Sequence, residues 1–192
     1  TPNPKPQTPN PKPQTPMYGV KSIFLGDVMV GKSSLIRRFC HNEYEENAGT
    51  SRGMQLSVSE TKRGEVSLRH FIWDAPGSME CRDDSKLNFY NTAAFVFVFA
   101  LDNHQSFSDV VEFIKTVREN KPAHAVLILV GNKQDMLKSP LYNPQDTTQC
   151  TPQHEIDSIC KKYSMPYLEA SAKTGKGVQE VISDNLSDIQ YY

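Results

Sequence analysis

Eight consecutive residues, Gly26-Asp27-Val28-Met29-Val30-Gly31-Lys32-Ser33, constrain this chain more than any other stretch. They fit the pattern GxxxxGK[S/T] and lie between an apolar run, Tyr18 to Leu25, and the start of a helical segment near Lys32. A strand entering and a helix leaving is the context that makes the pattern a phosphate cradle. Over Gly26 to Ser34 the backbone amides wrap a phosphate, the positive helix end points at it, and the Lys32 ammonium neutralises its charge. Ser33 offers a hydroxyl to Mg²⁺. Taken alone, the loop indicates a nucleoside triphosphate and does not choose the base.

Such a loop belongs to a mostly parallel sheet covered by helices, and the remaining periodicity agrees. Met54, Leu56 and Val58 alternate with polar residues, Lys62-Arg63-Gly64 reads as a turn, and Val66 to Trp73 returns as the second arm of a hairpin. Ala94 to Leu101, Ala125 to Val130 and Pro166 to Glu169 are apolar enough to be covered on both faces. Helical stripes fall between them: Phe107, Val110, Val111, Ile114 and Val117; Ile156, Ile159, Cys160 and Tyr163; Val178, Val181, Ile182, Leu186 and Ile189. Thr151 followed by Pro152 predicts a helix start, with a capping hydroxyl and proline at the first helical position. The expected fold is an α/β P-loop domain with a six-stranded, mostly parallel sheet, one antiparallel hairpin edge and about five flanking helices.

Residues 1–16 are two copies of Thr-Pro-Asn-Pro-Lys-Pro-Gln followed by Thr-Pro, a proline density that excludes helix and sheet and predicts an extended linker. The chain opens at Thr1 inside that repeat, as expected of a domain cut from something longer; residues 17–192 form the domain. With 192 residues one core is expected, and 21 basic against 22 acidic side chains favour neither nucleic acid nor an anionic membrane. Cys40, Cys81, Cys150 and Cys160 lack metal-ligand spacing and read as reduced thiols of a cytoplasmic protein. The longest apolar run, Ala93 to Leu101, has nine residues where a membrane-spanning helix needs about 20.

The base is chosen by Asn132-Lys133-Gln134-Asp135, which follows a strand at its carboxyl end, where such sheets bind ligands. From about Tyr18 to Ile189 the chain resembles the Ras superfamily of small GTPases. The resemblance implies that Asp135 accepts hydrogen bonds from the guanine N1 and 2-amino groups, and that Lys133 lies along the base. Glu169-Ala170-Ser171-Ala172-Lys173 looks like the family's SAK loop, whose amide near Ala172 meets the guanine oxygen. A site built to hydrogen-bond one base edge can reject the wrong base by about 10⁴-fold.

Trp73-Asp74-Ala75-Pro76-Gly77 is similar to the WDTAG sequence of the Rab branch. The resemblance places Asp74 on Mg²⁺ through water and the Gly77 amide on the γ-phosphate. Ser51, or Thr50 beside it, aligns with the switch-one hydroxyl that completes the Mg²⁺ set, and Tyr44 with the aromatic at the guanine edge. The family's water-orienting glutamine is replaced by Ser78, too short for that reach, so slow hydrolysis is expected, with Glu80 as a substitute. Val28 and Met29 stand where smaller residues are usual, and the branched Val28 side chain is expected to crowd the entry of an arginine from an activating protein. Pro76 removes an amide and stiffens the entry to switch two. The resemblance thus implies a Mg²⁺-dependent GTP/GDP switch of vesicle trafficking or signalling, a monomeric domain that meets effectors, exchange factors and activating proteins through its switches. The alternative is a non-hydrolysing scaffold. The last cysteine is Cys160 and the chain ends Ile189-Gln190-Tyr191-Tyr192, so no lipid anchor is visible in it and any membrane association runs through partners or further segments.

Overall fold

The computed structural model describes residues 16–46, 49, 53–77, 89–146 and 148–184. The expected linker (save Pro16), Thr50, Ser51, Ser78, Glu80 and Cys81 lie outside these residues, as do Leu186 and Ile189 of the last stripe. Six strands form one sheet: β1 (Met17–Leu25), β2 (Gln55–Arg63), β3 (Val66–Asp74), β4 (Ala94–Ala100), β5 (Val126–Asn132) and β6 (Tyr167–Glu169). Their spatial order is β2-β3-β1-β4-β5-β6, antiparallel only between β2 and β3. The three α-helices among the described residues are α1 (Lys32–His41), α2 (His104–Asn120) and α3 (Gln153–Tyr163). A 3-10 turn follows β5 at Gln134–Lys138, and a π-helical turn at Glu180–Asp184 carries the predicted Val181 and Ile182.

The central strands are buried on both faces, because helices cover each side. Val20 and Phe24 of β1, Ile72 of β3 and Val96 and Val98 of β4 pack against Leu35 and Ile36 of α1 and against Val178, Val181 and Ile182. On the opposite face Ile23, Phe95, Phe97 and Phe99 meet Phe107, Val110 and Ile114 of α2 and Ile156 of α3. All seven residues of β4 are buried, which explains its unbroken apolar sequence. Asn103 caps α2, its side chain accepting from the Ser106 amide at 3.4 Å.

Two local expectations are corrected, and the covered face of β2, which the sequence left open, is defined. The hairpin turn is Gly64-Glu65, two residues as a tight hairpin prefers, with Gly64 at φ 60°, where a side chain would be strained. Along β2 the apolar residues face outward: Leu56 is 47% and Val58 48% exposed, while Ser57, Ser59 and Thr61 are half-buried. Alternation marks a strand but does not say which of its faces is covered at a sheet edge. At α3, Pro152 takes the capping position with extended backbone, and its carbonyl accepts the Glu155 amide at 3.0 Å. Helix geometry begins one residue later than predicted, so Thr151 caps nothing; its hydroxyl is buried with no hydrogen-bond partner among the described residues.

Candidate functional site

At the carboxyl edge of the sheet the ends of β1, β3 and β5 and the loop after β6 open on one cavity of about 580 Å³. This edge, where the strand order reverses at β1, is where open α/β sheets bind ligands. The cavity reaches from Ser33, Ser34 and Gly77 at one end to Lys133, Asp135 and Lys173 at the other.

The loop between β1 and α1 is built for close approach. Gly26 has φ 149°, and a Cβ there would meet the Val98 carbonyl oxygen at 2.0 Å. Gly31 caps α1 in the left-handed region, where a Cβ would meet Asn132 Nδ2 at 2.3 Å. Met29 takes the same left-handed conformation at φ 63°, which costs a side-chain-bearing residue roughly 1 kcal/mol, and it is 79% exposed. Val28 is 41% exposed and lines the cavity. Val30 does not: its side chain is in the core, while its carbonyl accepts from Asn132 Nδ2 at 2.9 Å. Asp27 turns its carboxylate onto the Val28 amide at 2.7 Å.

Lys32 is buried, and its ammonium donates to the carbonyls of Gly26 at 3.0 Å and Asp27 at 2.7 Å. Burial pulls its pKa below the usual lysine value, while the charges of Asp74 and Asp27 oppose that shift. Ser33, in the first turn of α1, donates its hydroxyl to Asp74 Oδ2 at 2.5 Å, bringing together two predicted Mg²⁺ residues that are 41 positions apart. A hydroxyl and a carboxylate side by side are the hard oxygen donors that Mg²⁺ prefers, so this pair fits the ion the resemblance implies. Gly77 abuts the loop so closely that a Cβ would meet the Val28 amide nitrogen at 2.3 Å.

At the base end the predicted motifs form one network. Asn132, the last residue of β5 rather than the first after it, is buried; besides donating to Val30 it accepts the Ala172 amide at 3.2 Å. Ser171 is buried and donates its hydroxyl to Asp135 Oδ1 at 2.6 Å, aiming that carboxylate. Ser171 also accepts the Thr174 amide, and its own carbonyl accepts the Gly175 amide, so the 171–175 loop closes on itself. Lys133 has φ 64° and Lys173 pairs with Glu46 at 2.9 Å, which raises the Lys173 pKa. Tyr44 and Glu46, from the segment after α1, line the cavity beside them.

One residue of this network carries no motif. Arg38 of α1 spreads its guanidinium over three carbonyls, those of Ala172, Lys173 and Asn42, each at 2.8 Å. It ties the loop after β6 to the end of α1, and its planar fork suits several acceptors at once. A basic residue on an amphipathic helix gives no sequence signal for such a role.

A family model described as Ras family matches residues 21–191. The GTP-binding protein YPT53 of Saccharomyces cerevisiae is 26% identical over 162 residues, 84% of this chain and 72% of that protein. Ras-related protein RABA1e of Arabidopsis thaliana is 25% identical over 172 residues, 90% of this chain and 75% of that protein. Ras-related protein Rab-25 of Bos taurus is 26% identical over 169 residues, covering 88% and 75% respectively.

Proposed function

This chain belongs to the Ras family, and on that premise we propose that it is a Rab-like guanine-nucleotide switch that binds GTP and GDP with Mg²⁺ and hydrolyses GTP slowly. The observation that carries the proposal is the single cavity shared by Lys32 and Asp135: a phosphate-neutralising ammonium at one end and, at the other, a carboxylate aimed by Ser171. Guanine offers that carboxylate two donors, and adenine offers neither.

Each residue then has a role. The amides of residues 28–34, together with Lys32, hold the phosphates; Lys133, Asn132 and the loop at Ser171, Ala172 and Lys173 order the base subsite; Tyr44 packs at the guanine edge. Ser33 and Asp74 hold Mg²⁺, with Ser51 or Thr50 as the further hydroxyl, and the bound ion supplies charge neutralisation for the phosphates. The Gly77 amide meets the γ-phosphate and couples its presence to switch two. Effectors, exchange factors and activating proteins engage these switches in trafficking or signalling, with exposed Leu56 and Val58 providing apolar surface nearby. Residues 1–16 serve as a spacer for a domain spanning 17–192. No helix among the described residues is long and apolar enough to cross a membrane.

Slow turnover rests on Ser78 and on Val28. The branched Val28 side chain stands beside the close contact with Gly77, where an activating arginine would have to enter. Such an arginine is worth about 10³ to 10⁵ in rate. The same two residues favour a second reading, a non-hydrolysing module held in one nucleotide state. Single-turnover GTP hydrolysis by wild type and a Ser78→Gln variant, with bound nucleotide identified by chromatography, tests both. A slow wild type and a faster variant are expected. Ordinary turnover by wild type overturns slow hydrolysis, and no turnover by either protein favours the scaffold.

A further inference from the structure

Beside the base subsite lies an acidic residue that no motif contains. The parallel register of β4 and β5 sets Ala100 opposite Asn132, and the Leu101 amide donates to the Asn132 carbonyl at 2.9 Å. The two chains therefore leave the sheet side by side, with Asp102 two residues beyond β4 and Lys133 one residue beyond β5. The Lys133 ammonium stands 3.4 Å from Asp102 Oδ1, and both residues line the cavity. That oxygen is buried and accepts no hydrogen bond from a described residue, so the Lys133 charge is its compensation. The Lys133 and Asp102 side chains are 35% and 23% exposed, so solvent screens this pair less than one at the open surface.

Lys133 requires fixing at both ends. Its backbone is left-handed, and its carbonyl is held by the Met136 amide at 2.9 Å. The side chain is a flexible four-carbon stem that would otherwise sample many rotamers. We propose that Asp102 is a positioning residue for the bound nucleotide: by holding the Lys133 ammonium it lays the lysine stem along the base subsite and slows nucleotide release. The proposal rests on the guanine-nucleotide function argued above and deepens it, because Asp102 is assigned its effect through Lys133.

The test is release of a fluorescent, ribose-labelled GDP from the Mg²⁺-loaded full chain after a chase with excess GDP. Wild type, Asp102→Asn, Lys133→Ala and the double variant are compared at low and high salt. Asp102→Asn is expected to release roughly two- to fivefold faster, the factor of an ion pair still partly open to solvent, and with a weaker salt dependence than wild type. In the Lys133→Ala background the same substitution should change nothing. A wild-type rate in Asp102→Asn overturns the proposal, as does an equal acceleration in both backgrounds, which would mean that Asp102 acts through its own turn. Asp102→Thr takes the place of Asp102→Asn if the latter does not fold. Failure of the underlying function would show separately, as wild type binding no labelled GDP.

Discussion

His70, at the middle of β3, is fully buried beneath α1. Its Nε2 lies 2.8 Å from the Thr61 hydroxyl, its ring stands edge-on to Phe39 with centroids 5.7 Å apart, and its Nδ1 has no hydrogen-bond partner among the described residues. Burial lowers its pKa below the ordinary 6.5, since the imidazolium would be desolvated with little compensation. The unfolded chain therefore binds the proton at a higher pH than the folded one. This group's stability contribution is intact above about pH 6.5 and is lost as pH falls from there toward the folded-state pKa. Urea unfolding at a series of pH values should show wild type losing stability between pH 7 and 5 more steeply than His70→Phe; parallel slopes would remove His70 from the acid response. The phosphate-loop residues were legible as single letters because each has a fixed chemical task. His70 was not, since a histidine in an alternating strand reads the same whether it faces core or water.

The strands and helices were legible where periodicity is long. Five of the six strands were placed within two residues, and the stripes of α2 and α3 are the faces that meet the core. What escaped was set by tertiary context: the outward face of β2, the start of α3 one residue after Thr151-Pro152, and the extension of β5 through Asn132. That extension matters, because a residue on the sheet ladder cannot shift as a loop residue can. Asn132 thus becomes a rigid strut from the end of β5 to the loop before α1 on one side and the loop after β6 on the other. Asn132→Ala removes both hydrogen bonds and leaves the Val30 carbonyl and the Ala172 amide without them, at a cost of about 2 kcal/mol or more. Urea denaturation of the nucleotide-free protein reads that loss directly, and an unchanged midpoint would show that the two loops hold their places unaided.

At the scale of the molecule the sheet gathers residues that are far apart in sequence: Ser33 meets Asp74 across 41 positions, and Arg38 meets Lys173 across 135. The order of motifs along the chain announced the first meeting, because each motif ends a strand at the same edge. The Arg38 contact belongs to side-chain geometry that only the folded chain displays. One cavity bounded by both ends of the sheet edge implies strong linkage between ligand and fold. GDP with Mg²⁺ at a hundred times its dissociation constant should stabilise the protein by about 2.7 kcal/mol. ADP should leave it unchanged, and Asp135→Asn should abolish the preference. Thermal unfolding with each nucleotide checks this, and equal shifts from GDP and ADP would contradict the assignment of Asp135.

Asn132 also limits how this sequence can drift. Its side chain must donate to one loop and accept from another at the end of a buried strand, which aspartate, serine and threonine cannot reproduce at that reach. The chain shares 25–26% identity with the three relatives named above, and at this position a single exchange would break contacts to two loops together. Loss of the amide at position 132 is therefore felt at the phosphate end and the base end of the cavity at once.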